Sequence, residues 1–268
     1  MRRFLKRSAL ALLFILAIVY GLMCYYAPKI VFYGAYFDDT RACPAAESSP
    51  DAEAIEFTTA DGTVLRGWLW NRGAGLPLVA VYGGNNMNVG SLAGLAAVAP
   101  RTNFLMLNHR GYGGSEGEPT EERVIGDARA ALQHYRAQLG NPQHVTLLGF
   151  SLGTGVATQL AATEAPGALI LACPFDSVLA TACQHVPVLP RLLPIDHFRS
   201  DLAAPKVTCP VTTFMGVNDT IVPPARTMSL MKCFTSTEVM LHIIPSGHND
   251  IFAHREVQDV LVPLLNAG

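Results

Sequence analysis

The chain has 268 residues, half of them hydrophobic and only 15% charged, with a formal net charge of −2 and a mean hydropathy of +0.28. The length suits one large α/β domain, and the composition excludes a disordered, collagen-like or coiled-coil chain. Four positive charges (Arg2, Arg3, Lys6 and Arg7) sit in residues 1–7, so the remaining chain carries −6; an acidic body argues against a nucleic-acid partner, and six cysteines are too sparse for a disulfide scaffold.

Residues 8–27 carry no charge. As a helix they span roughly 30 Å, the thickness of a bilayer's hydrocarbon core. The basic cluster before them orients the segment. Residues 1–7 are expected as a cytoplasmic tail, 8–27 as a single-pass anchor, and everything after residue 28 on the opposite, periplasmic or extracytoplasmic side. Tyr20, Tyr25, Tyr26, Phe32 and Tyr33 are placed to form an aromatic belt at the far interface. The rival reading is a cleaved signal peptide. Its usual small-residue site is poor, because bulky Tyr25 stands at −3 before Ala27, and Met23 precedes Cys24 where lipoprotein cleavage expects a small residue. Residues 28–54, rich in Pro, Ala, Ser and Asp from 38 onward, read as a linker to a domain over 55–268.

From Ile55 a hairpin turns at Asp61-Gly62. The run PLVAVYGG predicts a buried strand, Ser91–Ala99 a short helix, and NFLMLNH a strand. A helix over Glu121–Leu139 starts at Thr120, with Arg123 where a capping box prefers Glu. HVTLLGF is a strand and Leu152–Thr163 a helix rich in small residues, followed by the strand ALILACPF. Residues 176–206 read as irregular and Pro-rich. VTTFMGVND is a strand, then a helix near Ala225–Cys233, then the strand EVMLHIIPSG and a last helix to about Leu265. This alternation predicts an α/β fold with a mostly parallel central sheet and helices on both faces. Ligands in such sheets bind at the carboxyl ends of the strands.

Two segments fit Gly-x-Ser-x-Gly, around Ser115 and around Ser151. A nucleophile elbow needs a strand running into the turn and a helix leaving it, so that the hydroxyl stands above the sheet. Ser151 has both. Ser115 lies past the end of its strand and is followed by Glu118-Pro119, so it reads as a loop serine. A serine hydroxyl needs a base, and partners of this fold follow in the order Ser, Asp or Glu, His. Asp219 ends one later strand and His248 the next. Asp219 would hold the imidazole, and His248 would take and return the serine proton; Asp219 also reads as a helix N-cap, which is compatible with that role. The other seven histidines, His109 among them, read as surface or core side chains. An oxyanion hole takes two backbone N–H groups: one from Leu152, the other from Gly84 or, second, Asn85. No phosphate-loop or dinucleotide sequence is present, and His185, Asp196 and His197 match no zinc spacing, so neither cofactor nor metal is expected.

These residues resemble the α/β-hydrolase fold, and more narrowly the membrane-anchored serine hydrolases of the Bem46 group. NHRGYGGSEGEPTEE looks like that group's loop after the fourth core strand, and GFSLG, CPFDS, GVNDTIVP and SGHND resemble its motifs in order, from about residue 28 to the end. The resemblance implies hydrolysis of an ester, thioester or related acyl bond on a small-molecule or lipid-like substrate. Relatives begin the oxyanion loop with His-Gly, where this chain has Tyr82-Gly83 and then paired asparagines. Residues 176–206 fall where this fold inserts a cap or lid, which would line an acyl pocket, rest on the membrane or simply cover the core. Cys173 and Cys209 read as buried thiols; Cys43, Cys183 and Cys233 are available for pairing in an oxidising compartment. A serine peptidase of this fold would normally need an accessory domain for which 55–268 leave no room, and a dehalogenase would carry Asp at the elbow. A non-catalytic binding protein has no need for all three of Ser151, Asp219 and His248. Nothing in the sequence sets the oligomeric state.

Overall fold

The computed structural model describes residues 2–36, 43–49, 51–186 and 189–267, without the side chains of Arg2, Arg3, Leu5, Leu189 and Pro190. Met1 of the basic tail, residues 37–42 and Pro50 of the expected linker, and Pro187 and Val188 of the expected cap lie outside the described residues. Eight strands form one sheet: β1 (Glu53–Thr58), β2 (Val64–Trp70), β3 (Leu78–Tyr82), β4 (Asn103–Leu107), β5 (Val145–Phe150), β6 (Ala168–Ala172), β7 (Val211–Gly216) and β8 (Val239–Ile244). Their spatial order is β1-β2-β4-β3-β5-β6-β7-β8. β1 and β2 pair as the antiparallel hairpin expected around Asp61-Gly62, β2 is antiparallel to β4, and the pairs from β4 to β8 are parallel. β3 lies between β4 and β5, so the chain reverses its direction of travel across the sheet there. The crevice that such a reversal opens lies at the carboxyl ends of β3 and β5.

The inner strands β3 to β7 are largely apolar because both faces are covered, unlike the edge strands β1 and β8. Leu78, Ala80 and Tyr82 of β3 face one layer, Val79 and Val81 the other. The N-terminal helix α1 (Arg2–Val31) leads into a single turn, α2 (Tyr33–Tyr36), and a second turn, α3 (Pro44–Glu47), precedes β1. The single turn α4 (Gly94–Ala97) follows β3. After β4 comes α5 (Glu121–Gln138), capped by the Thr120 hydroxyl, which accepts from the Arg123 amide at 3.3 Å. α6 (Leu152–Glu164) follows β5, α7 (Val178–His185) and α8 (Ser200–Ala203) follow β6, α9 (Pro224–Met231) follows β7, and α10 (Arg255–Asn266) closes the chain. Side chains of α5, α6 and α9 fill one layer. The other holds α4, the turn before it, and Val257, Leu261 and Leu265 at four-residue spacing on α10.

Three stretches differ from the sequence expectation. The helix expected over Ser91–Ala99 is a 3₁₀ turn, Val89–Leu92, plus α4; Gly90 and Gly94 weaken a continuous helix there, and Asn88 caps the first turn by accepting from the Gly90 amide. Residues 176–206 contain a true helix, α7, because the Ser177 hydroxyl accepts from the Ala180 amide at 3.1 Å and caps it. A cleft of about 500 Å³ beside α7 has a mixed lining, with Asp176, Arg199, Asp201 and Arg226 beside Leu179 and Ala180. The stretch expected as a linker is docked where described: Phe32, Cys43 and Ala46 are buried in the two core layers, and β1 begins already at Glu53. All six thiols are free, including Cys43, Cys183 and Cys233.

α1 contains the segment Lys6–Val31, with a peak mean hydropathy of 2.3, long and apolar enough by composition to cross a membrane or to serve as a signal sequence. It extends four residues past the expected anchor end at Ala27, with Pro28 inside it. The Tyr20 hydroxyl donates to the Leu192 carbonyl at 2.6 Å, so α1 passes beside the 176–206 insert.

Candidate active site

β5 runs directly into Ser151, whose backbone is held at φ +51, ψ −120 before α6 begins. A non-glycine residue avoids that region unless its surroundings hold it there. Here the Ser151 amide donates to the Ala172 carbonyl of β6 at 3.0 Å, and its carbonyl accepts from the Thr154 amide and hydroxyl. The flanking glycines allow close approach. A methyl on Gly149 would lie 2.6 Å from the Gly153 carbonyl oxygen, and one on Gly153 only 2.0 Å from the Tyr82 oxygen. Gly153 thereby brings α6 against the end of β3, which carries the next loop to the serine.

β7 and β8 deliver the other two groups. A methyl on Gly216 would meet the Gly247 oxygen at 2.6 Å, and the Asn218 amide donates to the Ser246 carbonyl at 3.0 Å, so the two strand ends are clasped together. Asp219 Oδ2 lies 2.7 Å from His248 Nδ1, and His248 Nε2 lies 2.9 Å from Ser151 Oγ. The Asp219 carboxylate can only accept, so Nδ1 carries the proton; Nε2 then presents its lone pair to the Ser151 hydroxyl, which donates. Oδ1 of Asp219 accepts from the Ile221 and Val222 amides at 2.9 and 2.8 Å, so the N-cap-like role and the histidine contact use different oxygens. Burial opposes ionisation of Asp219, but the contacts with His248 and the two amides outweigh it and hold the carboxyl below its ordinary value. All three side chains are buried, and the Phe150 ring lies 5.1 Å from the imidazole.

Leu152 is the first residue of α6, where its amide has no intrahelical acceptor. A methyl on Gly84 would lie 3.3 Å from the Ser151 Cβ, so the loop after β3 passes alongside the serine. Ser151, Asp219 and His248 are thus brought together in one hydrogen-bonded chain, with Leu152 next in the chain after the serine and the Gly84 backbone beside it; Asn85 follows Gly84 on the same loop. Ser115 is elsewhere: its hydroxyl accepts from the Arg66 amide at 2.9 Å and donates to the Asn108 carbonyl at 3.3 Å, fixing the loop after β4. Two residues read from the sequence as surface or core side chains prove to be neighbours of the site. His109, read as a structural histidine, is buried with Nε2 3.2 Å from the Gly83 carbonyl, and burial holds it below the ordinary histidine value. It therefore donates as a neutral ring to the loop that carries Gly84. Cys173, at φ +53, has its thiol 3.8 Å from the His248 carbonyl; burial first, then the Asp219 charge, push that thiol far up. Ligand atoms of Cys173, Asp219 and His248 lie within 4.8 Å of one another, but the carboxylate and imidazole are committed to each other and to Ser151. The signal for His109 was its place in the NHRGYGG run; Cys173 was read as a buried thiol, which it is, and only its position beside His248 was not foreseen.

Comparison with known proteins agrees with the fold. The family model described as Serine hydrolase (FSH1) matches residues 102–249, more than half of the chain. The uncharacterized protein Rv2307c of Mycobacterium tuberculosis is 33% identical over 222 residues, covering 80% of this chain and 79% of that protein. The human alpha/beta hydrolase domain-containing protein 17B is 29% identical over 150 residues, 56% of this chain and 51% of its own. Among solved structures, an esterase of Pyrococcus furiosus superposes with a TM-score of 0.69 at 17% identity, over 85% of this chain and 96% of that one. An alpha-beta hydrolase of Vibrio vulnificus gives 0.70 at 17%, over 90% and 93%. Sheet order, elbow and crevice define an α/β hydrolase. Within that class, the chain belongs to the serine hydrolase (FSH1) family.

Proposed function

We propose that the protein cleaves carboxylic ester or thioester bonds through an acyl-enzyme, with Ser151 as nucleophile, His248 as general base and then acid, and Asp219 as the group that orients and stabilises the imidazolium. The observation that carries this reading is the continuous hydrogen-bonded chain from Asp219 through His248 to the Ser151 hydroxyl, all three side chains being buried. As Ser151 Oγ attacks the carbonyl carbon, its proton passes to His248 Nε2. The oxygen that gains charge is stabilised by the amides of Leu152 and Gly84, with Asn85 the next donor along the loop. Tyr82 in place of the relatives' histidine leaves these backbone donors untouched, since its ring is buried on the α6 side of β3. His248 then protonates the leaving alcohol or thiol, and water repeats the sequence to release the acid. The likeness to a solved esterase supports an ester as substrate, and no metal or cofactor is needed for any step.

The long apolar run of α1 and the basic residues in its first turns support a single-pass anchor with the domain on the extracytoplasmic side, facing small-molecule or lipid-like acyl substrates. The test is hydrolysis of p-nitrophenyl esters and matched thioesters of increasing chain length by the full chain. Ser151→Ala is expected to lose more than about a thousandfold in kcat with unchanged melting, and Asp219→Asn a comparable amount in kcat. Ester turnover undiminished in Ser151→Ala would remove the serine from the chemistry and overturn the site assignment.

A further inference from the structure

The loop after β3 is held not only by the body of the domain but by the end of the N-terminal helix. Asn85 Nδ2 donates to the Ile30 carbonyl, in the last turn of α1, at 3.2 Å. The Gly34 amide of α2 donates back to the Asn85 carbonyl at 3.2 Å. From the other side the Tyr112 hydroxyl donates to Asn85 Oδ1 at 2.8 Å. Every polar group of Asn85 other than its own amide is thus engaged away from the crevice. The fit is close: a methyl on Gly34 would sit 2.6 Å from both the Asn85 oxygen and the Tyr112 ring, and one on Gly111 would meet Ala35 Cβ at 2.9 Å. Phe32 anchors the segment, buried with its ring 5.9 Å and edge-on from Phe198, and Phe198 packs against Gly155 of α6.

We propose that residues 30–35 are a working part of the active site, and that Asn85, Gly34 and Tyr112 are positioning residues that aim the Gly84 amide at the oxyanion. The physical reason is preorganisation. A donor stabilises developing charge only if it is already pointed at it, and a displacement of about 1 Å from a remote change costs up to a hundredfold. The loop has no regular structure between Tyr82 and the turn at Val89. Its aim is therefore set by what grips it: His109 at Gly83 and the Asn85 clasp one residue beyond Gly84. The consequence is that the apolar N-terminal segment is coupled to catalysis and does more than tether the domain. This rests on the reading of Gly84 and Leu152 as the oxyanion donors.

The test uses the full chain in detergent, with wild type, Tyr112→Phe, Asn85→Ala, Gly34→Ala and Ser151→Ala compared on a p-nitrophenyl ester. An alkyl boronic acid, which forms a tetrahedral adduct at the serine, reports the transition-state-like geometry. Tyr112→Phe removes one hydroxyl and keeps the ring, so it preserves the fold even if Gly34→Ala does not. The expected result is a kcat lowered roughly tenfold or more in the folded clasp variants, KM within about twofold, and boronate affinity falling in parallel with kcat. Wild-type kcat and boronate affinity in Tyr112→Phe and Asn85→Ala, with Ser151→Ala inactive, would overturn the clasp alone. Turnover surviving in Ser151→Ala would overturn the site reading and the clasp with it.

Discussion

Ser151 shows what a single residue costs and why its neighbours are small. Its φ of +51 is tolerated because Gly149 and Gly153 let strand, helix and the β3 end approach to contacts that a methyl would violate. Gly153→Ala is therefore expected to destabilise the protein by more than about 3 kcal/mol, read as a large fall in melting temperature; a wild-type melt would contradict the packing described. His109 makes a second prediction. Its folded-state value is depressed by burial, so below about pH 6.5 the unfolded chain binds the proton more readily than the folded one. Stability is then fully present above that value and falls as the pH drops toward the folded value. Melting temperatures across pH 5 to 8 should show the fall, and His109→Gln should flatten it while keeping a donor for Gly83. An unchanged slope in that variant would remove His109 as its source. At this scale the sequence was most legible: strand–serine–helix contiguity singled out Ser151 from Ser115, and the ends of the two later strands gave Asp219 and His248. His109 was read as a surface or core side chain and is buried; its bond to the Gly83 carbonyl was not foreseen because a backbone partner depends on the loop's path rather than on residue type.

Among the elements, the antiparallel edge and α5 are tied to the sheet by one buried cation. Arg110 is almost wholly buried, with Nε and Nη2 each 2.8 Å from the Asp127 oxygens and Nη1 2.7 Å from Asp61 and 2.9 Å from the Thr63 hydroxyl. It joins the β1–β2 turn, the loop after β4 and α5. The bond to Arg110, with those to Thr59 and Thr63, holds the Asp61 carboxyl far below its ordinary value. Arg110→Met should cost about 3–5 kcal/mol, because it leaves the Asp127 carboxylate buried and uncompensated. The double variant Arg110→Met/Asp127→Leu should recover much of that loss; equal melting of the single and double variants would contradict this account. The inner strands β3 to β7 were legible because each is a short, largely apolar run, and β1–β2 because Asp61-Gly62 marks their turn. The short elements were not. α7 depends on a Ser177 cap inside a Pro-rich stretch, and the 3₁₀ turn at Val89–Leu92 depends on Asn88. The docked segment around Phe32 and Ala46 was hidden because its composition is that of a linker, while its burial depends on hydrophobic partners far along the chain.

The whole molecule combines an acidic catalytic-type domain with a long apolar helix whose end reaches the candidate site. If that helix is an anchor with residues 1–7 inside, protease added to spheroplasts should digest the domain over 55–268 without lysis; protection until lysis would reverse the orientation. The mostly parallel sheet and the α/β-hydrolase class were foreseeable, the sheet from the alternation of strands and helices and the class from the elbow and the resemblance of the motifs. The acyl substrate was not, because nothing in the pattern of strands fixes what fills the crevice. The central claim is that Ser151 is an activated nucleophile. The most direct measurement is labelling of the purified full chain with a fluorophosphonate, followed by mass mapping of the modified peptide, beside Ser151→Ala and Ser115→Ala. The account predicts one adduct on the peptide bearing Ser151, retained in Ser115→Ala and lost in Ser151→Ala. Labelling that persists in Ser151→Ala, or a folded wild type that takes no label, would contradict it.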